Sequence, residues 1–388
     1  MTSWRHDVSL YISTVSRLTL YSPLYSEKTL QSPTMTRTIL NEWFPNTTYP
    51  FISNAPMQGT ATSKLGSAVS KAGRSGFIGG AYNFLPESPE IPAFDAELTA
   101  VRNLLQLRED DVLPLGVGFL TLHPSVSGFL DVVGPVVKRQ KPAAVWLFAP
   151  DGPLAHERII PGLKELGSAW KLRVFVQVGN VAAAREAASQ GADAIVAQGA
   201  DAGGHAWAHG AGIVTLVPEI RQMVQTEFSD REIAVVAAGG IVDGRGIAAA
   251  LALGADGVTM GTRFIVADEA MTPDDMKDTV IKTKDGASST IKHTIHDDIQ
   301  GTGFWPKAYD GRAIMGKAYE EYVAGTPLDE LKARHQTLLS AKDNSRRIVW
   351  AGSAVGLVNS RKPAGEIIVS AGNEARQIIE GLSKGLKL

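Results

Sequence analysis

The sequence predicts an α/β fold, namely a (β/α)8 or TIM barrel with an inserted, mainly helical substrate-binding subdomain. From Pro50 onward, eight short apolar runs alternate with segments of helical character, as in parallel barrels covered by helices. Two of the runs echo each other, since GADAIVAQG (191–199) and GADGVTMGT (254–262) both place Gly-Ala-Asp before an apolar stretch. A doubly wound open sheet is the alternative, and the number of runs favours the barrel.

The predicted strands are rich in β-branched and small apolar residues and nearly free of charge, as buried parallel strands are. They are residues 51–56, 76–81, 115–120, 144–149, 173–179, 194–200, 234–240 and 257–264. The predicted helices between them are residues 63–73, 94–107, 126–140, 152–171, 180–191, 214–228 and 243–254. The tail, residues 363–386, is expected to form the eighth helix and to pack back onto the barrel.

Composition divides the chain into three parts. Residues 1–34 are rich in Ser, Thr, Leu and Tyr and are expected to form a disordered extension upstream of a second candidate start at Met35. A weak transit peptide is the alternative for this part. Residues 35–265 and 361–388 are assigned to a cofactor-binding barrel, and the more highly charged residues 266–360 to a helical substrate or lid subdomain.

The overall composition excludes several classes of function. A net charge of -2 over 388 residues argues against nucleic-acid binding, which usually leaves a basic patch. No apolar run approaches the roughly 18 residues of a membrane span. The chain has no cysteine, which excludes disulfides and thiolate metal sites and fits a reducing compartment. We therefore expect a cytoplasmic protein, with mitochondria as the alternative, and leave a homodimer open.

Glycines at the ends of the last two predicted strands indicate a phosphate site. VVAAGGIVDGRG (235–246) and TMGTRF (259–264) would lie side by side where barrels frequently bind phosphate. Gly239 and Gly240 let amides approach a phosphate, while Gly261 and Thr262 add an amide and a hydroxyl. The alternative is that these glycines only make tight turns between strand and helix.

Two further groups at predicted strand ends suit a flat heterocycle. SNAPMQG (53–59) brings backbone groups to the barrel mouth, and Met57 offers a soft apolar surface. A plain turn around Pro56 is the alternative. Gln177 and Gln198 end two neighbouring strands, and both amides could bond a carbonyl or a ring nitrogen.

The stretch AQGADAGGHAWAHG (197–210) carries the candidate catalytic residue, His205. Its glycines would let a loop fold over a bound ring and place an imidazole near the reactive face. A metal held by His205 and His209 is disfavoured by the glycines between them and by the lack of nearby acids. The histidines of KHTIHDD (292–298) also suggest a metal, but we interpret this segment as a solvated face and predict no metal site.

Five motifs together resemble the nitronate monooxygenase family, formerly called 2-nitropropane dioxygenases. They are APMQG, QGADAGGH, AAGGIVDGRGIAAALALGADGVTMGTRF, WPKAYDGRAI and WAGSAVGLV, and the resemblance runs from about residue 40 to the C-terminus. It implies non-covalent FMN and oxidation of alkyl nitronates, and of nitroalkanes as an extension, by O2 to a carbonyl compound and nitrite. The chain departs from the family pattern at Asp201, often Glu, and at Ser353, commonly Gln.

The resemblance also implies roles for individual residues. His205 matches the catalytic histidine. The flavin contacts implied are Asn54, Ala55, Pro56, Met57, Gln177, Gln198, Gly203, Gly204, the phosphate residues Gly239, Gly240, Gly261 and Thr262, and the closing-loop residues Trp350, Gly352 and Ser353. Trp305, Tyr309 and Trp350 are expected either to wall a small apolar substrate pocket or to be core.

Two other functions stay open from the sequence. The same barrel could be an NAD(P)H-dependent flavin reductase that acts on quinones or enoyl thioesters, because a barrel fold does not decide the chemistry. The chain could also be a flavin-binding relative without catalysis. A reductase predicts rapid flavin bleaching by NAD(P)H, and a non-catalytic protein predicts no effect of changing His205.

Overall fold

The computed structural model of this chain describes residues 38–152, 155–341, 343 and 345–385. The predicted N-terminal extension, residues 1–34, lies outside the described residues. Strands and helices are numbered below in chain order.

Eight parallel strands form a nearly closed barrel. They are β1 (Phe51–Asn54), β2 (Gly76–Gly79), β3 (Leu113–Leu120), β4 (Pro142–Phe148), β5 (Arg173–Val178), β6 (Ala194–Gln198), β8 (Ala234–Ala238) and β9 (Gly257–Met260). Their order is β1-β9-β8-β6-β5-β4-β3-β2, and a bridge between Ser53 and Ser75 brings β1 next to the start of β2. The predicted barrel is confirmed, and each predicted strand overlaps an observed one.

Large side chains fill the inside of the barrel, as in other barrels of this kind. Phe51, Phe77, Trp146 and Phe175 belong to one buried cluster, and the Trp146 and Phe175 rings stack with centroids 6.1 Å apart. Gly116 makes room for them, because a Cβ there would lie 2.1 Å from the Phe77 ring. Alternate strand residues belong to a second cluster shared with the helices, so the interior is a packed core.

Helices cover the barrel from outside. A short α1 (Ile39–Trp43) precedes β1. The barrel helices are α2 (Ser63–Lys71), α3 (Glu90–Leu104), α4 (Phe129–Gln140), α5 (Ile159–Leu166), α6 (Val181–Ser189), α7 (Ile213–Glu227), α8 (Gly244–Ala252) and α15 (Ala364–Gly385). The tail thus forms a helix that packs against α8 and α2, as expected for the eighth helix of the barrel.

The region after β9 contains both helices and strands. The helices are α9 (Thr262–Ile265), α10 (Asp274–Lys282), α11 (Gly286–Ser289), α12 (Ile295–Gln300), α13 (Lys317–Val323) and α14 (Leu328–Ser340). The strands β10 (Thr290–Lys292) and β11 (Tyr309–Ile314) form an antiparallel sheet with β7 (Gly204–Trp207), which belongs to the connection between β6 and α7.

The description of residues 197–210 as a loop is therefore wrong at Gly204–Trp207. This segment becomes a strand because β11, about a hundred residues later, supplies its hydrogen-bond partners, with His205 opposite Gly311. All the described residues belong to one compact unit, so the division at residues 265 and 361 stays a prediction. No helix among the described residues is long and apolar enough to cross a membrane.

His156 gives the fold an expected sensitivity to acid. Its Nε2 lies 2.7 Å from the Thr121 hydroxyl, and burial lowers its pKa from 6.5 to about 4. The unfolded chain therefore binds a proton more readily than the folded one between these values. The stability contributed by neutral His156 is complete above about pH 6.5 and is lost as the pH falls toward 4, and the loss reaches about 2 kcal/mol at pH 5.

The test is urea denaturation at pH 7.5 and pH 5 for the wild type and for His156→Gln. We expect the free energy of unfolding to fall less with acid in the variant, whatever its stability at pH 7.5. Burial also lowers the pKa of His296 and His335, so part of the pH dependence should persist. An unchanged pH dependence in the variant would contradict this role of His156.

Candidate active site

A cavity of about 440 Å³ opens at the carboxyl ends of the barrel strands and is covered by residues 300–305 and 349–354. Most of the residues predicted from the sequence line it. They are Ala55, Pro56, Met57, Gln177, Gln198, Gly203, Gly204, His205, Gly239, Gly240, Gly261, Thr262, Trp350 and Gly352. The strand-to-helix connections of the barrel thus bring together groups that are far apart in the chain.

Asn54 is not among the lining residues, contrary to its expected contact with a ring. Its side chain is completely buried. The amide nitrogen donates to the Phe77 carbonyl at 2.6 Å, and the amide oxygen accepts from the Phe77 N–H at 3.0 Å. The side chain therefore ties β1 to β2, and its polar groups are already satisfied by backbone.

Ser353, like Asn54, is expected to contact the flavin but does not line the cavity. Its hydroxyl donates to Asp201 Oδ1 at 2.7 Å, and its N–H donates to the Asp201 carbonyl at 3.0 Å. Both positions at which the chain departs from the family pattern thus bond to each other. Their bonds fasten the closing loop to the segment that leads to His205.

The two glutamines present amide groups that the protein leaves unused. Gln177 Oε1 accepts from Trp146 Nε1 at 3.0 Å, and its amide nitrogen makes no hydrogen bond to the part of the chain that the structure describes, so it can donate to a ligand. Gln198 Nε2 donates to the His205 carbonyl at 3.0 Å, and its buried Oε1 has no partner among the described residues. A buried orphan acceptor is costly, so the Gln198 oxygen suits a ligand with an N–H group.

The predicted phosphate residues line one cavity, where they form a cradle of backbone groups. Gly239 and Gly240 have φ values of +97° and +74°, a region that favours glycine. A Cβ on Gly239 would lie 2.7 Å from the Gly199 carbonyl oxygen, whereas the site around Gly261 is open, with nothing nearer than 3.8 Å. Backbone and hydroxyl groups are what this part of the cavity offers to an anion.

Thr262 connects the cradle to the closing loop. Its hydroxyl oxygen accepts a hydrogen bond of 2.9 Å from the buried N–H of Gly352. Thr262→Val should leave this N–H without a partner and lower the free energy of unfolding by about 1–3 kcal/mol. It should also weaken flavin binding, because the loop then opens more easily.

Thr262→Ser, which keeps the hydroxyl, is the matched control for Thr262→Val and should behave like the wild type. Urea denaturation and equilibrium dialysis against the flavin would measure the two effects. Equal behaviour of the Val and Ser variants would contradict the role assigned to this hydrogen bond.

The His205 imidazole is held by a carboxylate and an indole. Its Nε2 lies 2.8 Å from Asp297 Oδ1 and 2.9 Å from Oδ2. The Trp305 ring stacks on it with centroids 3.7 Å apart and planes 6° apart, and Trp350 lies 4.8 Å away. Nδ1 makes no hydrogen bond to any described residue, so it is the ring nitrogen that a substrate could use.

Asp297 is a site residue that the sequence analysis does not identify, and the interpretation of its segment as a solvated face is wrong. Residues 292–298 do not form a solvated face, since Asp297 is 3% exposed and His296 is completely buried. The segment leads into α12, and the His296 ring contacts the ring of the cavity residue Trp350, with centroids 5.7 Å apart. The sequence signal for this site is the pair of acids that follows His296. The partner of Asp297 is His205, which lies 92 residues earlier in the chain, so the signal does not reveal it.

The aromatic residues divide into wall and core. Trp305 and Trp350 line the cavity, as do Tyr82 and Phe304, whose rings stack with centroids 6.0 Å apart. Tyr309 does not line it. Its ring is buried and its hydroxyl donates to the Pro150 carbonyl at 3.0 Å, so Tyr309 is core.

The cavity carries little charge. None of the described residues that line it is Lys, Arg, Asp or Glu, and His205 and Tyr82 are the titratable ones. Burial and the nearby Glu90 raise the pKa of Tyr82, which keeps its hydroxyl neutral. Within the described residues no group of three or more His, Cys, Asp or Glu is arranged to hold a metal ion. Charge at the site therefore depends on His205 and on the Asp297 carboxylate that bonds it.

Comparison with solved structures agrees with the barrel. FabK from Thermotoga maritima matches with a TM-score of 0.69 and 25% identity, covering 90% of this chain and all of that chain. A nitroalkane oxidase from Streptomyces ansochromogenes matches with a TM-score of 0.68 and 22% identity, covering 88% of this chain and 99% of its own. The second likeness, at that identity, concerns the fold alone.

Sequence comparison is more specific. The family described as nitronate monooxygenase matches residues 162–373. A Neurospora crassa protein named nitronate monooxygenase is 44% identical over 374 residues, which cover 93% of this chain and 98% of that protein. The Metarhizium robertsii nitronate monooxygenase npaC is 36% identical over 86% of this chain and 93% of its own length. With the barrel and the cavity residues in place, these matches show that the chain belongs to the nitronate monooxygenase family.

Proposed function

We propose that this protein is an FMN-dependent enzyme that oxidises alkyl nitronates with O2 to a carbonyl compound and nitrite. The observation that carries the proposal is that His205 and the amides of Gln177 and Gln198 line one weakly charged cavity. One ring nitrogen of His205 makes no hydrogen bond to a described residue. The family to which the chain belongs supplies the reaction class. A small organic anion and O2 are the partners expected.

The cavity residues fit the ring of a flavin. The orphan Gln198 Oε1 can accept from a ring N–H, and the free amide N–H groups of Gln177 can donate to a ring carbonyl. Pro56 and Met57 offer apolar surface to a flat face. Pro56 packs closely against the backbone of β3, because Gly118 has no side chain and a Cβ there would lie 2.4 Å from Pro56.

The cradle fits the phosphate of FMN. A side chain at Gly239 or Gly240 would strain the backbone, because both φ values are positive, and at Gly239 it would also clash. A Cβ on Gly261 would occupy open space in the cavity. The Thr262 hydroxyl adds a polar group at the same point. Because no cation lines the cavity within the described residues, amides and this hydroxyl would hold the phosphate.

The chemistry that FMN supplies when bound is electron transfer between the substrate and O2. The chain's own contribution is binding, orientation and charge. A protonated His205 would stabilise the negative charge of a nitronate, and a neutral His205 would accept the carbon-bound proton of a nitroalkane. Trp305 and Trp350 shield the imidazole, which is 15% exposed, so water has little access to it.

An NAD(P)H-dependent flavin reductase stays the alternative, because the fold is shared with FabK and fold does not decide chemistry. Anaerobic spectra of the purified yellow protein would separate the two. We expect a nitronate to bleach the visible flavin band and NAD(P)H to leave it nearly unchanged. Rapid bleaching by NAD(P)H and none by the nitronate would replace our proposal with the reductase. Cytoplasmic location, with mitochondria as the alternative, and a homodimer stay predictions.

A further inference from the structure

We infer that Asp297 is a positioning residue that sets the tautomer of His205 for use of neutral nitroalkanes. The inference rests on the proposed function and extends it from nitronates to their protonated precursors. Asp297 lies on α12 of the inserted region, and His205 lies on β7 of the barrel connection. The pair therefore joins two parts of the chain at the reacting end of the cavity.

The contact fixes where the imidazole proton sits. Both Asp297 oxygens face His205 Nε2, at 2.8 and 2.9 Å, and an ionised carboxylate can only accept hydrogen bonds. Nε2 must then carry the proton, and the lone pair of the neutral ring is left on Nδ1. Thr302 reinforces the arrangement, since its hydroxyl donates to Asp297 Oδ1 at 2.9 Å.

Burial and backbone pairing make the arrangement rigid. Asp297 is 3% exposed, so water cannot easily replace either partner. The backbone of His205 pairs with Gly311 in the sheet and accepts a hydrogen bond from Gln198. The face-to-face Trp305 ring prevents the imidazole from rotating and would favour it electrostatically once it is protonated.

The step assigned to this pair is a proton transfer without redox change. The C–H bond next to the nitro group breaks, and a new N–H bond forms at His205 Nδ1. The electron pair of the broken bond moves into the nitro group and gives the nitronate anion. The resulting imidazolium is stabilised by the Asp297 carboxylate, which keeps its negative charge throughout.

Asp297→Asn tests the inference, because an amide can donate to Nε2 and so favour the tautomer with the proton on Nδ1. With nitroethane as substrate, kcat/KM should fall about 10²–10³-fold. With ethylnitronate the loss should stay below about fivefold, because that substrate has no proton to remove. The deuterium isotope effect at the reacting carbon of nitroethane should be larger than in the wild type, since proton removal becomes slower than later steps.

The matched control is Asp298→Asn, the same change of charge and size at the next residue, because the carboxylate that bonds His205 is that of Asp297. It should keep both activities within about twofold. A double variant, His205→Asn with Asp297→Asn, should be no slower on nitroethane than His205→Asn alone, because Asp297 acts through His205. Flavin content and thermal unfolding would show that each variant is folded.

Different results would overturn this inference and the proposed function. Equal losses on nitroethane and ethylnitronate in Asp297→Asn, or additive losses in the double variant, would overturn the positioning role. A wild type that oxidises ethylnitronate but ignores nitroethane would overturn this inference and leave the proposed function standing. A wild type inactive on both would overturn the proposed function itself.

Discussion

His205→Asn should lower kcat/KM for a nitroalkane by at least about 10³-fold, while the loss for the corresponding nitronate stays near tenfold. Asparagine can donate a hydrogen bond to an anion, but it cannot accept the proton of a carbon acid. The two substrates differ only in that proton, so the ratio of their losses isolates the base role. Steady-state oxygen consumption with matched nitroalkane and nitronate would measure both values.

A suitable control for His205→Asn is His209→Asn, a histidine on the same connection that is exposed and does not line the cavity. It should leave both activities unchanged. Equal losses on nitroalkane and nitronate in His205→Asn would refute the base role and leave only charge stabilisation. Full activity on both would show that His205 has no catalytic role.

Gly239→Ala should strip the protein of much of its flavin. The residue has a φ of +97°, and its new Cβ would lie 2.7 Å from the Gly199 carbonyl oxygen. A side chain in this region costs about 1–2 kcal/mol before any clash, so the loop should relax by moving. If binding must restore the cradle at a cost of about 2 kcal/mol, flavin affinity falls about 30-fold.

Gly325→Ala provides the matched control. Gly325 has a similar φ of +94°, but a Cβ there meets no atom within 4 Å. The control should lose about 1 kcal/mol of stability and keep the wild-type flavin affinity. Equilibrium dialysis against FMN, with urea denaturation of each variant, would measure both quantities. Equal flavin affinities in the two variants would show that Gly239 does not shape the cradle.

The barrel could be predicted from the sequence because its signals are local. Each strand is a short apolar run such as 234–238, which is buried on both faces. Most barrel helices begin within four residues of their predicted start, whereas α5 begins at Ile159, seven residues after the predicted start. Asn180 and Asp243 cap α6 and α8 by accepting backbone N–H bonds, as helix N-termini favour. Strand ends then meet at one edge, so the placement of Gln177, Gln198 and Gly239 followed from the order of strands.

The part that could not be predicted depends on contacts between distant segments. The sequence of β7 is typical of a glycine-rich loop, and residues 204–207 carry no signal for pairing with β11. Asp297 looks like a surface acid, because a charged residue on a short polar helix usually faces water. Asn54 follows the opposite pattern, since the resemblance implies a flavin contact there, whereas its side-chain amide is hydrogen-bonded to the backbone of Phe77.

The most direct test of the proposed oxidation is oxygen uptake by the purified FMN-containing protein when it is given propyl-2-nitronate without NAD(P)H. We expect rapid oxygen consumption with release of nitrite and acetone. A yellow protein that consumes no oxygen with the nitronate would contradict it and favour the NAD(P)H-dependent reductase.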